Sequence, residues 1–390
     1  WNLTIFTQYV SIYLYNHSEL YVIYTDFSKA FDKVDHNILL SKLFSFDFTD
    51  YSIRFFKSYS DSRVQYVCYN GFKSERYVAS SGVPQGSNLG PLLFLLFIDD
   101  LSQSLNCDSL LYADDLKVFS PVHNINDCCS LQTNLNLINV WCTINKLCLN
   151  SNKCKAASFS RKKCPIEYTY KIGDVSLCRT DNIKDLGVWF DTKLSFNQHI
   201  DWKISEANKF YGFIVRNCKL FDNIDALKML YYSYVRSRLE YSSLVWKPFY
   251  ACQKYSIEKV QRRFLKYLCL KSDGVYPEQG ICQDLLCSRF GTTNLELRRI
   301  LFSLSYLYKL IHNKVDCTWL VGELNFNVPT ANLRTTLLFR LPRMNTNLGL
   351  NSPVQYMMKN FNSICDSCDI NNDPLPFILD KAAELYYLAN

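Results

Sequence analysis

Three aspartates stand where their carboxylates could bind metal ions. Asp26 ends an apolar segment that predicts a strand, and Asp114 and Asp115 occupy a tight turn between two further apolar segments. A half-buried aspartate is costly unless it meets cations. Carboxylates that converge at strand ends form an all-oxygen site, which suits Mg²⁺ with bound phosphates and is poor for zinc. Two such ions would clamp the attacking and leaving oxygens of an in-line phosphoryl transfer.

The same aspartates also have a purely structural interpretation. Asp26 and Asp114 lie 88 residues apart (114 − 26), so only a folded sheet brings them together. An aspartate at a strand end and an Asp-Asp pair in a hairpin turn are both ordinary turn chemistry. Spacing alone leaves the two interpretations open.

A second candidate is the loop 81–87, which has the sequence SGVPQGS. Gly82 and Gly86 allow the backbone to approach a ligand closely, while Pro84 stiffens the turn. Gln85 places an amide, both donor and acceptor, on that stiff loop. The alternative is an ordinary loop ahead of a helix.

Hydrophobic periodicity predicts the elements that position these residues. The first half reads as mixed α and β, and after about residue 197 the pattern becomes helical. We expect helices at 3–16, 36–45, 49–59, 91–105 and 125–147, and strands at 21–25, 63–69, 76–79, 110–112, 116–119, 156–160, 168–172 and 185–190. We expect further helices at 198–217, 223–237 and 251–269, and a helical then loop-rich region over 276–390.

Composition excludes several classes of protein. The 390 residues suffice for two or three domains, and with 48% apolar and 20% charged residues the chain fits neither a disordered tail nor a membrane bundle. The apolar run Leu92–Ile98 is far shorter than the roughly 18 residues of a membrane span. An odd count of 17 cysteines without a signal-peptide pattern predicts reduced thiols and an intracellular location, nucleus or cytoplasm.

The net charge of +7 is compatible with a polyanionic partner. Residues 201–273 hold 14 Lys and Arg against 7 Asp and Glu, an excess equal to that of the whole chain. On the third predicted helix of this region, one face carries Lys259, Arg262, Arg263 and Lys266. This face predicts phosphate contacts, and the alternative is the solvated side of an amphipathic helix.

Taken together, the segments carry a family resemblance that none shows alone. Tyr24–Asp32, Ser81–Pro91 and Leu111–Asp115 follow one another in order, with Lys153 and then Asp185–Val188 downstream. This pattern resembles the reverse-transcriptase domain of non-LTR retrotransposons, the jockey-like group in particular. The resemblance covers essentially the whole chain.

The resemblance implies an α+β polymerase with a right-hand architecture. Residues 21–196 would form the palm, an antiparallel sheet packed on helices, and 197–275 a basic helical thumb. Residues 276–390 would be a mostly helical C-terminal region of unknown role. Residues 1–20 would be a remnant of the fingers or a connecting helix, with the fingers largely absent.

The resemblance also assigns roles to individual residues. The catalytic carboxylates of Asp26, Asp114 and Asp115 would hold two Mg²⁺ ions, with Mn²⁺ as an alternative, aided by the Phe27 carbonyl. The nucleotide pocket would involve Phe31, which excludes a 2′-hydroxyl, together with Gln85, Gly86, Tyr112 and Ala113. Lys153 would protonate the leaving pyrophosphate, Gly187 would lie in a primer-holding hairpin, and Lys259, Arg262, Arg263 and Lys266 would contact duplex phosphates. Taken alone, Phe31 is better interpreted as an ordinary core aromatic, and the alternative for Lys153 is a solvent-facing lysine.

The implied function is RNA-directed DNA polymerisation with an RNA template, a DNA primer and dNTPs. A competing hypothesis is an inactive remnant that binds RNA or an RNA–DNA duplex, since the 25 residues before Asp26 contain no Lys or Arg to grip a triphosphate. Cys365 and Cys368 have zinc-knuckle spacing without a partner pair nearby, so we interpret them as unpaired thiols.

Overall fold

The structure, a computed structural model, describes residues 1–61, 63–278, 280–328 and 337–389. The chain divides into two compact units. The first, called here the sheet unit, comprises Asn2 and Asn16–Asp181. The second, the helical unit, comprises Trp1, Leu3–Tyr15 and Asn182–Asn390.

Helix α1 precedes the sheet unit in the chain and spans Asn2–Tyr15. The helices of the sheet unit are α2 (His36–Ser45), α3 (Asp50–Ser60), α4 (Leu89–Gln103) and α5 (Ile125–Ile144). Its strands are β1 (Glu19–Thr25), β2 (Arg63–Gln65), β3 (Cys68–Tyr69), β4 (Phe72–Lys73), β5 (Tyr77–Ala79), β6 (Asp108–Tyr112), β7 (Asp115–Val122), β8 (Lys155–Phe159), β9 (Lys171–Ile172), β10 (Val175–Ser176) and β11 (Cys178–Arg179).

A five-stranded sheet in the order β11-β8-β1-β7-β6 organises the sheet unit. Strand β1 is central and runs antiparallel to both β7 and β8. Its sequence ELYVIYT is almost continuously apolar and is buried along nearly its whole length, as expected of a strand covered on both faces. The core includes Phe94 and Phe97 of α4 and Leu135 and Ile138 of α5. This packing fixes the ends of β1 and β7.

The helical unit opens with a hairpin of β12 (Asn182–Asp185) and β13 (Val188–Asp191). Its helices are α6 (Asn197–Asn217), α7 (Ile224–Tyr231), α8 (Ser237–Glu240), α9 (Ser243–Trp246), α10 (Ala251–Asp273), α11 (Gln283–Arg289), α12 (Leu295–Ile311), α13 (Thr318–Gly322), α14 (Asn347–Leu350), α15 (Pro353–Asn362) and α16 (Leu375–Ala389). A π-helical turn, Tyr232–Arg236, links α7 to α8.

Helix α1 shares the core of the helical unit. Phe6 is fully buried and meets the ring of Phe190 on β13 edge-on, at 5.4 Å between centroids. The Gln8 Oε1 accepts a hydrogen bond from the backbone N–H of Val354, 346 residues along the chain. A second core joins α12, α15 and α16 through residues such as Leu307.

Most predicted elements are confirmed with small shifts of their ends. The strand predicted at 168–172 is reduced to Lys171–Ile172, and the segment predicted at 185–190 is a hairpin that turns at Leu186 and Gly187. The part of 276–390 predicted to be loop-rich contains α14, α15 and α16. The helix predicted at 223–237 is interrupted by the π-helical turn, and the strand predicted at 63–69 is split into β2 and β3. The compact units divide at 181/182, so the β12–β13 hairpin belongs with the helices, whereas the predicted palm extends to 196. The names palm, thumb and fingers for these regions stay predictions.

Within the described part of the chain, no helix is both long and apolar enough to cross a membrane. All 17 cysteines are free thiols, several of them buried.

Candidate active site

The register of the central sheet brings two of the three aspartates to one end. Thr25 of β1 pairs with Leu116 of β7, so the next positions along this antiparallel register are Asp26 and Asp115. Asp115 also pairs with Tyr112 of β6, which leaves Ala113 and Asp114 as a two-residue turn. The pairing of these strands, interrupted by the turn, therefore places the carboxylates together at the strand ends.

The turn itself has strained backbone at one residue. Ala113 has a positive φ of 52°, in the left-handed region that non-glycine residues rarely adopt. Asp114 is half-buried and Tyr112 is 59% exposed. The hairpin thus presents an open edge on which a phenol, a small methyl and two carboxylates follow one another.

The backbone around Asp26 is held from the opposite side. The Asp26 carbonyl accepts from the Asn150 N–H at 2.7 Å, and the Asp26 N–H lies 3.4 Å from Cys154 Sγ. Phe27 forms an antiparallel bridge with Leu149. These contacts fix Asp26 between β7 and the turn that precedes β8. The Cys154 contact gave no signal in the sequence, since a lone cysteine has no motif.

Lys153 lies beside Asp26. Its Nζ is 3.4 Å from Asp26 Oδ2, and the side chains are 67% and 33% exposed respectively. Although the ammonium is this close, Asp26 Oδ2 is buried and makes no hydrogen bond with the described residues. The ion pair with Lys153 offsets part of the cost of burying this oxygen, and a metal ion could bind it without displacing a hydrogen bond.

The three carboxylates do not form a closed ligand set. Among the described residues, no group of three or more His, Cys, Asp or Glu side chains is close enough to hold a metal ion. Asp26 and Asp115 share the end of the sheet, with Asp114 next to them in the turn, but the metal assignment stays a prediction.

The loop 81–87 is tied to the segment that follows β1. The Gly82 N–H donates to the Val34 carbonyl at 2.8 Å, and the Val83 N–H donates to the Phe31 carbonyl at 2.9 Å. The Gln85 Nε2 donates to Asp32 Oδ1 at 2.7 Å. The structure therefore brings two of the three sequence motifs together through hydrogen bonds.

Gly82 and Gly86 differ in how strictly they require glycine. Gly82 has φ 88°, and a Cβ there would lie 2.7 Å from the Asp32 carbonyl oxygen. Gly86 has φ 78°, and a Cβ there would meet no neighbouring atom within 4 Å among the described residues. Glycine at 82 allows the close approach of the loop, whereas at 86 it serves backbone conformation alone.

Phe31 lies at the edge of the core. Its ring stacks on Phe94 of α4 at 4.4 Å between centroids, with an interplanar angle of 25°. The side chain is half-buried, so one part of the ring belongs to the core and the other part is accessible. Both of its predicted interpretations, core aromatic and pocket wall, are compatible with this position.

An open cleft of about 840 Å³ borders the loop. Gln85 and Asp32 line it, together with two basic side chains, Lys29 and Arg63, and the aromatic Tyr77. Arg63 belongs to β2 and Tyr77 to β5, which pair as a short antiparallel ribbon. Sequence reasoning missed these lining residues because only the folded ribbon places them near the loop.

In the helical unit, Gly187 forms the turn of the β12–β13 hairpin. Leu186 and Gly187 both have positive φ, 43° and 82°. The Leu186 carbonyl accepts from the Tyr241 hydroxyl at 2.8 Å, and the Trp189 N–H donates to His199 Nδ1 at 3.1 Å. The hairpin is thus anchored to α6 and to the residue after α8.

His199 is fully buried in this anchor. Burial, reinforced by nearby Lys203 and Lys184, lowers the pKa of His199 to about 3, so the imidazole is neutral near pH 7. A neutral ring can accept the Trp189 N–H at Nδ1, which agrees with the observed hydrogen bond.

The basic residues of α10 do not share one environment. Lys259 and Arg263 are exposed, although Arg263 Nη1 also donates to Asn208 Oδ1 of α6 at 3.2 Å. Arg262 is half-buried and donates to Gln283 of α11 at 3.3 Å, and Lys266 donates to the Glu278 carbonyl at 3.0 Å. The face expected to be uniformly solvated is therefore split, because α10 packs on two sides.

A cluster of cations and aromatics near the hairpin was not singled out in the sequence. Lys184 and Lys203 lie 4.9 and 5.1 Å from the ring centroid of Trp202, within cation–π range. Burial, with Lys184 and Arg238 nearby, lowers the pKa of Lys203 to about 8. The excess of basic residues in this part of the sequence indicated a positively charged surface, but it did not identify which residues form the cluster.

Cys365 and Cys368 make local contacts in the turn after α15. The Cys365 thiol donates to the Asn362 carbonyl, and the Cys368 thiol donates to the Ile364 carbonyl. Burial raises the pKa of both thiols, that of Cys368 to about 11. Their interpretation as unpaired thiols stays a prediction.

Comparison with known proteins places this geometry in context. Residues 5–190 match the family described as reverse transcriptase (RNA-dependent DNA polymerase). The "RNA-directed DNA polymerase from mobile element jockey" of Drosophila funebris is 30% identical over 188 residues, 45% of this chain and 20% of that protein. The "Probable RNA-directed DNA polymerase from transposon BS" of Drosophila melanogaster is 30% identical over 189 residues, 46% of this chain and 21% of that protein.

The matched region thus spans about a fifth of the length of these curated relatives. Among solved structures, apo telomerase from Candida tropicalis aligns with a TM-score of 0.39 and 11% identity, over 74% of this chain and 48% of that one. That similarity is too low to support any inference. The family match and the relatives agree with the ordered motifs. Residues 5–190 therefore match the reverse transcriptase family and are similar to the RNA-directed DNA polymerases of jockey and other mobile elements.

Proposed function

We propose that this chain carries the catalytic region of an RNA-directed DNA polymerase that extends a DNA primer on an RNA template with dNTPs. The observation that carries the proposal is the register of β1 and β7, in which Asp26 and Asp115 follow the last paired residues. Asp114 lies in the adjoining turn, so all three carboxylates belong to one end of one sheet.

Residues 21–196 act in this proposal as the palm, 197–275 as the thumb, and 276–390 as a helical extension. The sheet covered by α4 and α5 supports the first assignment; its strands pair antiparallel except for the edge strand β11, which is parallel to β8 and so departs from the predicted all-antiparallel sheet. The helical content and basic excess of residues 201–273 support the second.

Asp26, Asp114 and Asp115 would hold two Mg²⁺ ions, or Mn²⁺ in their place. The donor set fits, since carboxylate oxygens are the ligands that these cations prefer, and the buried Asp26 Oδ2 has no hydrogen bond in the described chain. When bound, the metal makes the primer 3′-hydroxyl more acidic and balances charge on the transferred phosphate. The Phe27 carbonyl would add a backbone ligand.

The remaining residues would position the nucleotide. Phe31, stacked on Phe94, would exclude the 2′-hydroxyl of a ribonucleotide, while Gln85 and Gly86 shape the pocket from the loop 81–87. Tyr112 and Ala113 would line the primer terminus. Lys153, beside Asp26, would donate a proton to pyrophosphate as it leaves.

The cleft beside the loop supports triphosphate or template binding. Lys29 and Arg63 supply positive charge there, and Tyr77 supplies a ring on which a base can stack.

Nucleic acid would also contact the helical unit. The hairpin at Gly187 would hold the primer, and the basic residues of α10, Lys259, Arg262, Arg263 and Lys266, would contact backbone phosphates. The cations Lys184 and Lys203 beside Trp202 extend this set. Because template bases are read by pairing, the protein needs phosphate and shape contacts more than base contacts.

The thiols support an intracellular setting, nucleus or cytoplasm, because 17 unpaired cysteines suit a reducing compartment.

Primer extension on a poly(rA)/oligo(dT) hybrid with Mg²⁺ tests the proposal. We expect the wild type to extend the primer and the double variant Asp114→Ala, Asp115→Ala to fail, with EDTA abolishing extension by the wild type. The matched control is Asp174→Ala, because Asp174 follows Gly173 in the turn of another hairpin, β9–β10, of the same unit. Loss of extension in this control as well would point to folding and not chemistry.

The competing hypothesis predicts a different pattern. If the chain is an inactive remnant, neither the wild type nor the double variant should extend the primer, yet both should still bind the hybrid in low salt. That outcome would refute catalysis by this chain while leaving its match to the family intact.

A further inference from the structure

A pocket of about 360 Å³ in the helical unit collects basic side chains from separate segments. Lys247 follows α9, Lys254 lies in α10, Arg299 in α12 and Lys359 in α15. Among the described residues that line it, Glu296 is the one carboxylate. Four cations from four segments converge on one cavity, which is an arrangement that like charges oppose unless an anion is present.

Two of these cations are buried without full hydrogen bonding. Lys247 is 6% exposed, and its Nζ has no hydrogen-bond partner within the described chain. Arg299 is 5% exposed, and its Nη1 likewise has none among the described residues. Its Nη2 lies 3.5 Å from Glu258 Oε1, so one side of the guanidinium is paired and the other is left over.

Electrostatics agree with this geometry. Burial, with the neighbouring cations Lys359 and Lys254, holds the pKa of the Lys247 amine well below its ordinary value. Lys254 forms an ion pair with Glu296, so that carboxylate is already engaged. An anion entering the pocket would offset the repulsion and the lost solvation together.

The Lys247 amine also lies over the ring of Tyr356, 3.2 Å from its centroid. This contact offers a simple structural explanation, a cation–π brace, for the presence of a buried lysine. It does not account for the unpaired Arg299 Nη1 or for the convergence of the other cations.

The net charge of the pocket residues favours a ligand with two negative charges. An anion in the pocket favours the protonated form of Lys247, and the four cations then face two carboxylates, Glu296 in the lining and Glu258 behind Arg299, which gives 4 − 2 = +2. A phosphate monoester carries about −1.5 to −2 at pH 7. A carboxylate or a phosphodiester carries one negative charge and would leave the pocket positive.

We propose that this pocket binds a phosphate monoester, with Lys247 and Arg299 donating to its oxygens and Lys359 at the rim. Arginine suits this role because its planar fork matches phosphate oxygens. The pocket is larger than one phosphate group needs, so an attached nucleoside or other organic group can be accommodated. The source is either a free phosphorylated small molecule or the 5′-phosphate of a nucleic acid.

Isothermal titration calorimetry with the full chain tests the site directly. The probes are inorganic phosphate, AMP, and one short RNA carrying either a 5′-phosphate or a 5′-hydroxyl. We expect binding of inorganic phosphate at one site and at least tenfold weaker binding by Lys247→Met and by Arg299→Met. The matched control, Lys381→Gln, removes a lysine that pairs with Glu384 on α16, and should change the affinity less than twofold.

The RNA pair identifies the source. At least tenfold tighter binding of the 5′-phosphorylated RNA than of its 5′-hydroxyl form, and than of AMP, assigns the site to nucleic-acid ends. Equal binding of AMP and the phosphorylated RNA assigns it to the phosphate group of small molecules. If none of the phosphorylated probes binds the wild type, or if they bind Lys247→Met and the wild type equally, the proposal is wrong.

Thermal unfolding separates a binding residue from a structural brace. A buried amine kept for a ligand destabilises the free protein, so Lys247→Met should raise the Tm without phosphate and abolish the upward Tm shift that phosphate produces. A lower Tm with an unchanged phosphate shift would assign Lys247 to bracing Tyr356 and overturn the proposal. If Lys247→Met does not fold, Lys359→Gln at the rim gives the same test, with about threefold weaker binding expected.

Phosphate binding here does not depend on polymerisation. The Asp114→Ala, Asp115→Ala variant should therefore bind phosphate with the affinity of the wild type, so that failure of one proposal is distinguishable from failure of the other.

Discussion

The carboxylate end of the sheet unit and the cationic pocket of the helical unit carry opposite charges and share one physical property. Asp26 Oδ2 in the first and Lys247 Nζ in the second are buried atoms without hydrogen bonds in the described chain. Each such atom costs free energy in the empty protein, because burial removes water without replacing it. Each region therefore gives up some stability for a partner of the opposite charge.

The two regions differ in how they are assembled. At the carboxylate end, the backbone pairing of β1 with β7 and one hairpin turn place the three carboxylates, so strand register sets the geometry. In the pocket, four side chains come from four segments between residues 247 and 359, so the geometry depends on packing of whole helices. Loss of helix packing should thus impair the pocket before it impairs the carboxylate end.

Neutralising Asp26 should have the largest effect of the changes considered, and it should affect the carboxylate end alone. Asp26→Asn keeps the shape of the side chain and removes the charge, so primer extension should fall by roughly a thousandfold or more. The free energy of unfolding should stay within about 1 kcal/mol of the wild type, because the Lys153 side chain is 67% exposed and solvent screens its attraction to Asp26. Urea unfolding and single-turnover extension measure both quantities, and an unimpaired rate would remove Asp26 from catalysis.

A matched pair of glycine variants probes the loop beside that end. Gly82→Ala should lower the free energy of unfolding by about 2–4 kcal/mol, because its Cβ would overlap the Asp32 backbone at positive φ. Gly86→Ala should cost about 1 kcal/mol, since only its φ is unfavourable. Equal losses in chemical denaturation would contradict the close approach seen at Gly82.

Selectivity against ribonucleotides tests Phe31. Phe31→Val should increase the use of rNTPs relative to dNTPs about 10- to 100-fold, equivalent to about 1.4–2.7 kcal/mol, if the exposed part of the ring excludes the 2′-hydroxyl. The matched control is Phe94→Leu, which disturbs the stacking partner and leaves Phe31 in place. An unchanged dNTP/rNTP ratio in Phe31→Val would assign the residue to the core alone.

The smallest expected effect distinguishes the two sides of α10. Lys259→Gln with Arg263→Gln should weaken binding of an RNA–DNA duplex several-fold and reduce the salt dependence by one to two phosphate contacts. Arg262→Gln with Lys266→Gln should affect binding less, because these side chains already donate to Gln283 and to Glu278. Filter binding at several salt concentrations checks the order, and the reverse order would reject this surface.

Much of the sheet unit could be predicted from the sequence because its chemistry lies in contiguous segments. The strand before Asp26 and the turn at Asp114 follow from hydrophobic pattern and turn chemistry, and the observed elements start and end near the predicted residues. The Gln85–Asp32 hydrogen bond was not predicted, because it joins residues 53 positions apart through the shape of a loop.

The helical unit was less predictable for the opposite reason. Helical spacing put Arg262 and Lys266 of α10 on a solvated face, yet both are engaged because α11 and the segment before it pack there. Lys247 and Arg299 gave no signal, since their partnership depends on helices far apart in the sequence. Periodicity describes one helix against an unspecified core and cannot show how many neighbours that helix has.

The shared core of α1 and the C-terminal helices has a consequence for synthesis on the ribosome. The bond partner of Gln8 emerges 346 residues after it, a delay of roughly 17–70 s at about 5–20 residues per second. Phe6, Val10 and Leu14 are all fully buried in the finished protein. Phe6 can meet Phe190 once 184 further residues (190 − 6) have been made, but the contact of α1 with Val354 must wait for the whole interval. The nascent chain therefore exposes the apolar side chains of α1 for much of its translation. Slower elongation lengthens this exposure, and with it the need for a chaperone to prevent aggregation.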